Sequence, residues 1–328
     1  MYYFLISGII YKIGLLCAEV GMELKIDRET DGLTVLAVLQ SRLGLSRAFI
    51  KHLKFKENGI TVDGEHATVR CVLREGQTLR LLTEDAQTPE KLTPSDLDLK
   101  IAYEDDDLVV PDKPSDMPTH QSFGHYGDTV ANALTYRYVN MGLPFVFRPV
   151  NRLDRNTSGL LLVARNRISA AYLSDAMKRG EIRKQYIAVL HGVLSQDEGV
   201  IDTYMRRTAE SVIVREVCGE GEGGDRAITE YKVICRSDTH TMVLASPVTG
   251  RTHQLRVHFA YLGCPIEGDD LYGAPSDLIS RHALHSYSLT FPMQNGETKN
   301  VTAPLHEDMI SLVKRIFWDT GDAICYLF

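Results

Sequence analysis

The run Arg152-Leu153-Asp154-Arg155-Asn156-Thr157-Ser158-Gly159-Leu160-Leu161 constrains this chain more than any other feature. It sets one carboxylate between two guanidinium groups, which favour the ionised form that can act as a nucleophile. Thr157, Ser158 and Gly159 are turn formers, and Leu160 to Ala164 has the length of a strand covered on both faces. Asp154 is therefore expected at a sheet edge, open to a cleft. No Gly-x-Ser-x-Gly pattern surrounds Ser158, so a serine hydrolase has no local support. Taken alone, the run also fits a surface loop with a chance charge cluster.

A second constellation spans Thr249-Gly250-Arg251-Thr252-His253-Gln254-Leu255-Arg256-Val257-His258. Strand-like Met242 to Ala245 precede it. Leu255, Phe259 and Leu262 then recur at helical spacing up to Gly263, which predicts strand, turn and helix. Arg251 and Arg256 bring cations to the helix start, where planar guanidinium suits either a phosphate or a buried carboxylate. His253 and His258 lie five apart, not four as in a helical zinc motif, so they are expected to be ordinary hydrogen-bonded histidines and no metal is expected.

Together the two blocks resemble the RluA-type RNA pseudouridine synthases. Carried over by position, the resemblance makes Asp154 the nucleophile and Arg256 its partner. It extends through Gly263-Cys264-Pro265-Ile266-Glu267-Gly268-Asp269-Asp270-Leu271-Tyr272-Gly273, and Lys184-Gln185-Tyr186 matches a Lys-x-Tyr in which the tyrosine faces the target uracil. Lys113-Pro114, Met117-Pro118-Thr119-His120, His282-Ala283-Leu284-His285 and Ala303-Pro304-Leu305 widen the match to most of residues 98 to 316. Three departures stand out: Asn151 where a histidine is usual, Asp116 where a glycine is usual, and Pro111-Asp112, which should interrupt a strand ending.

The net charge of -7 is not what phosphate binding asks for, so basic groups must be concentrated locally if RNA is the partner. Residues 24 to 83 supply such a concentration, with no acidic residue between Asp31 and Glu57. Arg47, Lys51 and Lys54 share one face of a predicted helix, and Asn58-Gly59, Asp63-Gly64 and Gly76 punctuate short strands. This module resembles the alpha-L RNA-binding domain named after a ribosomal small-subunit protein. Residues 84 to 97 read as a polar, flexible connector. Residues 1 to 23 read as an N-terminal extension, neither signal peptide nor span, and 317 to 328 as a tail. Gly219 to Asp225 spells Gly-x-Gly-x-x-Gly, but Glu220 and Glu222 would repel phosphate and strand-like residues follow, so a hairpin loop is expected.

A chain of 328 residues exceeds the roughly 250 to 300 at which single cores stop growing, so two domains are expected. The catalytic one is predicted as an α+β fold on a mixed, largely antiparallel sheet, with strands near 160–164, 186–190, 212–217, 228–234 and 242–246. A small α/β RNA-binding domain precedes it. Six scattered cysteines without a Cys-x-x-Cys pair point to reduced thiols and a cytoplasmic enzyme, with no membrane segment and no obligate protein partner evident.

The resemblance implies isomerisation of a uridine in RNA, most simply large-subunit ribosomal RNA, with transfer RNA as the alternative substrate. A non-catalytic ribosome-assembly factor is the alternative function. Tyr186 would stack on the base, Arg152, Arg155 and Arg251 would hold RNA at the cleft, and no cofactor is required. Whether Asp154 attacks ribose C1′ or uracil C6 is left open by the sequence.

Overall fold

The computed structural model describes residues 21–45, 47–82 and 92–317, together with the backbone of a hairpin of β1 (Tyr2–Ile6) and β2 (Ile9–Ile13). Apart from that hairpin, the expected N-terminal extension lies outside the described residues. So do the first half of the connector and the tail beyond Phe317.

The small domain comprises β3 (Gly21–Lys25), α1 (Val35–Ser41), α2 (Arg47–Lys54), β4 (Ile60–Val62), β5 (Glu65–His66) and β6 (Thr78–Leu82). Its sheet runs β3-β6-β4-β5, antiparallel throughout. Thr34 starts α1 by accepting the Ala37 N–H at 3.2 Å, a side-chain cap for an otherwise orphaned donor. Asp63 and Gly64 take φ values of 51° and 88°, the mirror-image turn geometry whose twist matches an antiparallel hairpin. In α2 the pattern separates as expected: Ile50 and Leu53 are buried, while Arg47, Lys51 and Lys54 are exposed.

Ile168, from the helix Arg167–Lys178 of the larger domain, enters the core formed by Val35, Val38, Leu39 and Leu53. The two domains therefore meet through an apolar contact that the polar connector gave no reason to expect. The described part of that connector is also tied down. Thr93 accepts the Asn132 side-chain amide at 2.7 Å, and the Ser95 N–H reaches the Asn132 carbonyl at 3.3 Å.

The larger domain follows as β7 (Lys100–Glu104), β8 (Leu108–Lys113), α3 (Val130–Asn140), β9 (Arg148–Pro149), β10 (Ser158–Leu160), β11 (Val163–Ala164), α4 (Arg167–Lys178), β12 (Arg183–His191), β13 (Glu198–Arg207), β14 (Arg215–Cys218), β15 (Asp225–Arg236), β16 (His240–Pro247), α5 (Gln254–Tyr261), β17 (Leu284–Pro292), β18 (Thr298–Thr302) and α6 (Glu307–Phe317). Twelve strands form one sheet, ordered β14-β13-β15-β16-β12-β17-β10-β8-β11-β9, with β18 added to β17 and β7 to β8. Among these pairings β10–β17 alone is parallel, so the sheet is mixed and largely antiparallel, as the sequence predicted.

The apolar run after the Asp154 loop divides cleanly between two layers. Leu161 and Val163 enter the core that α3, α5 and α6 cover, whereas Leu160, Leu162 and Ala164 enter the core shared with α4. Such alternation is what a strand buried on both faces requires. The run is not one strand, however. It pairs as β10 and β11, and the Leu161 N–H reaches the Pro111 carbonyl between them at 3.1 Å.

Three further expectations need correction. Pro111 and Asp112 do not break β8, because β7 shifts register opposite the proline, between Ile101 and Tyr103, where a missing N–H costs little. The strand expected at 212–217 starts only at Arg215. Gly219 to Asp225 is not a hairpin loop: β14 and β15, which it joins, flank β13 on opposite sides.

Candidate active site

Asp154 sits in the loop between β9 and β10, and nearly every neighbour in that loop is fixed by a separate hydrogen bond. Thr119 Oγ1 donates to the Leu153 carbonyl at 2.9 Å, and Lys113 Nζ donates to the Arg155 carbonyl at 2.8 Å. Arg281 Nη1 reaches the Asn156 carbonyl at 3.1 Å, and Thr157 Oγ1 meets His282 Nε2 at 2.8 Å. Ser158 Oγ lies 2.9 Å from His285 Nδ1. Gly159 completes the clamp with φ +98°, since an added Cβ would lie 2.3 Å from the Ser286 carbonyl oxygen across the parallel pairing.

Lys113 is fully buried and also donates to the Pro114 and Met117 carbonyls, at 2.8 and 2.9 Å. Burial pushes its ammonium down, to about 7, and nearby Arg281 pushes the same way. Three carbonyl acceptors on one nitrogen require three protons, and they hold the group charged. The lysine thus positions the loop from beneath.

Asp154 itself points into a cavity of about 550 Å³ whose wall includes Arg152, Lys184, Tyr186, Arg251, His253 and Arg256. Among the described residues its carboxylate accepts no side-chain hydrogen bond. Arg256 Nη1 stands 3.7 Å away and His253 Nε2 3.9 Å. The expected Asp154–Arg256 pair is therefore present only as a long ion pair. The hydrogen bonds of Arg256 go to Asp269: Nε to Oδ2 and Nη2 to Oδ1, each 2.7 Å, with the carboxylate fully buried. Leu271 and Tyr272 add backbone N–H bonds to Asp269 Oδ1, both 3.1 Å. The bidentate partner wins because its fork geometry satisfies the guanidinium where water cannot reach. Arg256 still presents one edge to Asp154.

Tyr186, on β12, lies in the cavity wall with little exposure, and burial pushes its phenol up. A phenol so placed is a protonated stacking surface and a donor, not a ready base. Lys184, two residues earlier, is buried and lines the same cavity, and burial pushes its ammonium down.

The remaining sequence candidates divide. Arg152 is exposed and lines the cavity. Arg251 also lines it, with Nε donating to the Arg226 carbonyl at 3.1 Å. Arg155 turns away to pair with Asp116 at 2.6 Å. Asp116 holds φ +63°, which accounts for the glycine usual at that place, because aspartate is among the few side chains that tolerate it. Asn151 accepts the Leu162 N–H at 2.8 Å at the cavity edge, and its buried amide nitrogen has no partner among the described residues. Arg47, Lys51 and Lys54 sit on α2 in the other domain.

Sequence reasoning gave no role to Asp269, His253, Lys113 or Lys184. Asp269 was visible in the Gly268-Asp269 pair, and a buried arginine needs such a carboxylate. His253 takes φ +57° at the start of α5, which turns its ring toward Asp154 and lets Nδ1 meet the Tyr272 hydroxyl at 2.8 Å. Burial holds its imidazole down.

A turn-borne carboxylate, a buried arginine and a tyrosine around one nucleotide-sized cavity define a class, and comparison with known proteins agrees. The family model described as RNA pseudouridylate synthase matches residues 107–261. The uncharacterized RNA pseudouridine synthase YjbO of Bacillus subtilis is 38% identical over 274 residues, covering 83% of this chain and 95% of the relative. Ribosomal large subunit pseudouridine synthase D of Xanthomonas campestris is 33% identical over 284 residues, 82% of this chain and 84% of the relative. The structure of human RNA pseudouridylate synthase domain containing 1 superposes with a TM-score of 0.53 at 31% identity, covering 63% of this chain and 84% of that one.

The chain belongs to the RluA-type RNA pseudouridine synthases. Its activity is the isomerisation of uridine in RNA. Among the described residues, no helix is long and apolar enough to cross a membrane.

Proposed function

We propose that this synthase modifies large-subunit ribosomal RNA inside the cell, with Asp154 as its nucleophile. The observation that carries the assignment of roles is the isolation of the Asp154 carboxylate: free of side-chain hydrogen bonds among the described residues, 3.7 Å from one edge of Arg256, at a cavity of about 550 Å³. That volume falls in the range of small-ligand sites and accommodates one extruded nucleotide. Arg152 and Arg251 at the wall suit the phosphates flanking that nucleotide, and Tyr186 suits the face of the base. Arg155, committed to Asp116, contributes less to RNA than its place in the motif suggests.

In the reaction the N1–C1′ bond breaks, the uracil turns, and C5 bonds to C1′. The proton displaced from C5 leaves as N1 gains one, so neither a redox step nor an added water is involved. Asp154 adds to ribose C1′ or to uracil C6 on the way. Arg256 stabilises the carboxylate before attack and after its release. The ribosomal substrate is favoured by relatives named ribosomal large subunit pseudouridine synthase D, and the basic face of α2 in an alpha-L type domain suits structured RNA.

The test is Asp154→Asn. An amide keeps the shape but cannot attack as a carboxylate, so turnover should vanish while RNA affinity stays within a few-fold of the parent. Pseudouridine formation above about one percent of the parental rate, a residue too large for a lost nucleophile, would refute the role. Mapping pseudouridines in cellular RNA with and without the gene decides the substrate: sites lost from transfer RNA alone would overturn the ribosomal assignment.

A further inference from the structure

Away from the cleft, three side chains from three elements converge at one end of the sheet. His191 closes β12 and His240 opens β16, and the two are partners across the antiparallel ladder. Glu267 stands in the loop after α5, with Oε2 3.0 Å from His191 Nδ1 and 3.2 Å from His240 Nε2. The imidazole rings lie 5.1 Å apart and nearly perpendicular, at 87°. One potential ligand atom from each residue falls within 4.8 Å of the other two.

These separations suit a cation. Bonds of about 2.0–2.1 Å in a tetrahedral array put neighbouring ligand atoms about 3.3 Å apart, close to the two nitrogen–oxygen separations of 3.0 and 3.2 Å, and the two nitrogens, within 4.8 Å of each other, form the wider edge. The donor set of two imidazoles and one carboxylate selects zinc and its transition-metal neighbours over magnesium or calcium, which prefer oxygen. Burial differs usefully among the three. The side chains of His240 and Glu267 are 9% and 7% exposed, whereas that of His191 is 67% exposed, leaving one side for water or a fourth ligand. Thr239 Oγ1 lies 2.8 Å from His240 Nδ1, an outer contact that fixes the ring with Nε2 toward Glu267.

We propose that His191, His240 and Glu267 form a binding site for one divalent transition-metal cation, with zinc the best match. The site is structural. It ties the ends of β12 and β16 to the loop that carries Asp269, two residues beyond Glu267, and so braces the carboxylate that holds Arg256. That loop is already stitched to the sheet, with Glu267 N–H donating to the Val189 carbonyl and Ala283 N–H to the Glu267 carbonyl, both at 2.8 Å. The sequence led to no metal because the histidines lie 76 and 27 residues before Glu267, a spacing that matches no local motif. The alternative arrangement is a glutamate hydrogen-bonded by two imidazoles and the Ser276 hydroxyl.

The test uses the full chain, stripped with a chelator and retitrated with Co²⁺, read by visible absorption, and with Zn²⁺, read by calorimetry. The expected result is one equivalent bound, with the intense spectrum of a four- or five-coordinate site and a melting temperature that rises with free zinc. His191→Ala, at an exposed position that leaves the fold intact by circular dichroism, should lose at least tenfold in affinity and the zinc-dependent rise. Glu267→Gln, of the same shape, should lose as much. No binding by the parent at micromolar metal overturns the proposal, and so does binding that survives both substitutions, which would place the metal on cysteines or other histidines.

Discussion

Arg256→Met should damage the fold before it damages the chemistry, because Arg256 is, among the described residues, the sole countercharge hydrogen-bonded to the fully buried carboxylate of Asp269. Removing one partner of a buried ion pair leaves the other charge uncompensated, at a cost of about 3–5 kcal/mol. The two backbone N–H bonds that Asp269 keeps, from Leu271 and Tyr272, place the expectation at the lower end of that range. Asp269→Asn should cost less, since Arg256 retains Asp154 at 3.7 Å and the face of Tyr272, with its guanidinium 5.1 Å from that ring. The double variant removes both charges and should recover about 2 kcal/mol or more relative to the sum of the singles, a coupling of the size seen within one ion-pair network. Urea unfolding of the four proteins measures the cycle. Pseudouridine formation measures the other half: both proteins lacking Arg256 should be inactive, because Asp154 has lost its nearest cation even where stability returns. Additive stabilities, or an Arg256→Met protein destabilised by less than about 1 kcal/mol, would refute the claim that Arg256 serves Asp269 first.

Two further outcomes follow from groups elsewhere in the chain. Replacing Arg47, Lys51 and Lys54 together by Gln should weaken binding to long structured RNA and flatten the slope of log affinity against log salt by about 2–3, close to one counterion per lost phosphate contact; an unchanged slope would make the α2 face merely solvated. Burial holds His258, His282 and His285 down, to about 4, 3 and 4, so the folded state refuses protons that the unfolded chain takes up near 6.5. Stability from each is complete above pH 6.5 and falls as pH drops toward the folded value, by about 2 kcal/mol per histidine between pH 7 and 5, and a flat stability profile over that interval would mean that they titrate normally.

Much of this was legible in sequence because the signals were local. The strand–turn–helix around Arg251 and Arg256, the two-sided burial of Leu160 to Ala164, and the polar face of α2 each depend on periodicity within about ten residues. What the sequence did not reveal depends on separation. Pro111 reads as a strand breaker until β7 is seen to shift register against it. The connector reads as free until the Thr93 carbonyl is seen to take the amide of Asn132, 39 residues on. The bidentate partner of Arg256 was not foreseen for a related reason: three aspartates, Asp154, Asp269 and Asp270, lie within 4 Å of it, and only geometry shows which one matches the guanidinium fork.

The arrangement around Asp154 suggests why so much of the structure is spent on one short loop. A nucleophilic carboxylate is most reactive when few hydrogen bonds must be surrendered on attack, yet a side chain without hydrogen bonds has nothing of its own to hold it in aim. For Asp154, the proposed nucleophile, the aim comes from the backbone. Leu153, Arg155 and Asn156 are held at their carbonyls by Thr119, Lys113 and Arg281, and Thr157 and Ser158 are held at their hydroxyls by His282 and His285. At roughly 0.5–1.5 kcal/mol for a neutral hydrogen bond and 1.5–3 for one to a charged donor, this set amounts to about 4–10 kcal/mol, comparable with the backbone entropy of fixing the five residues it holds, about 5–10 kcal/mol. Lys113 and Arg281 can supply the stronger bonds because they are buried behind the loop, and the charge of Lys113 also acts on Asp154 without touching it. Lys113 therefore both fixes the loop and contributes to the field at the carboxylate, and the side chain itself stays free.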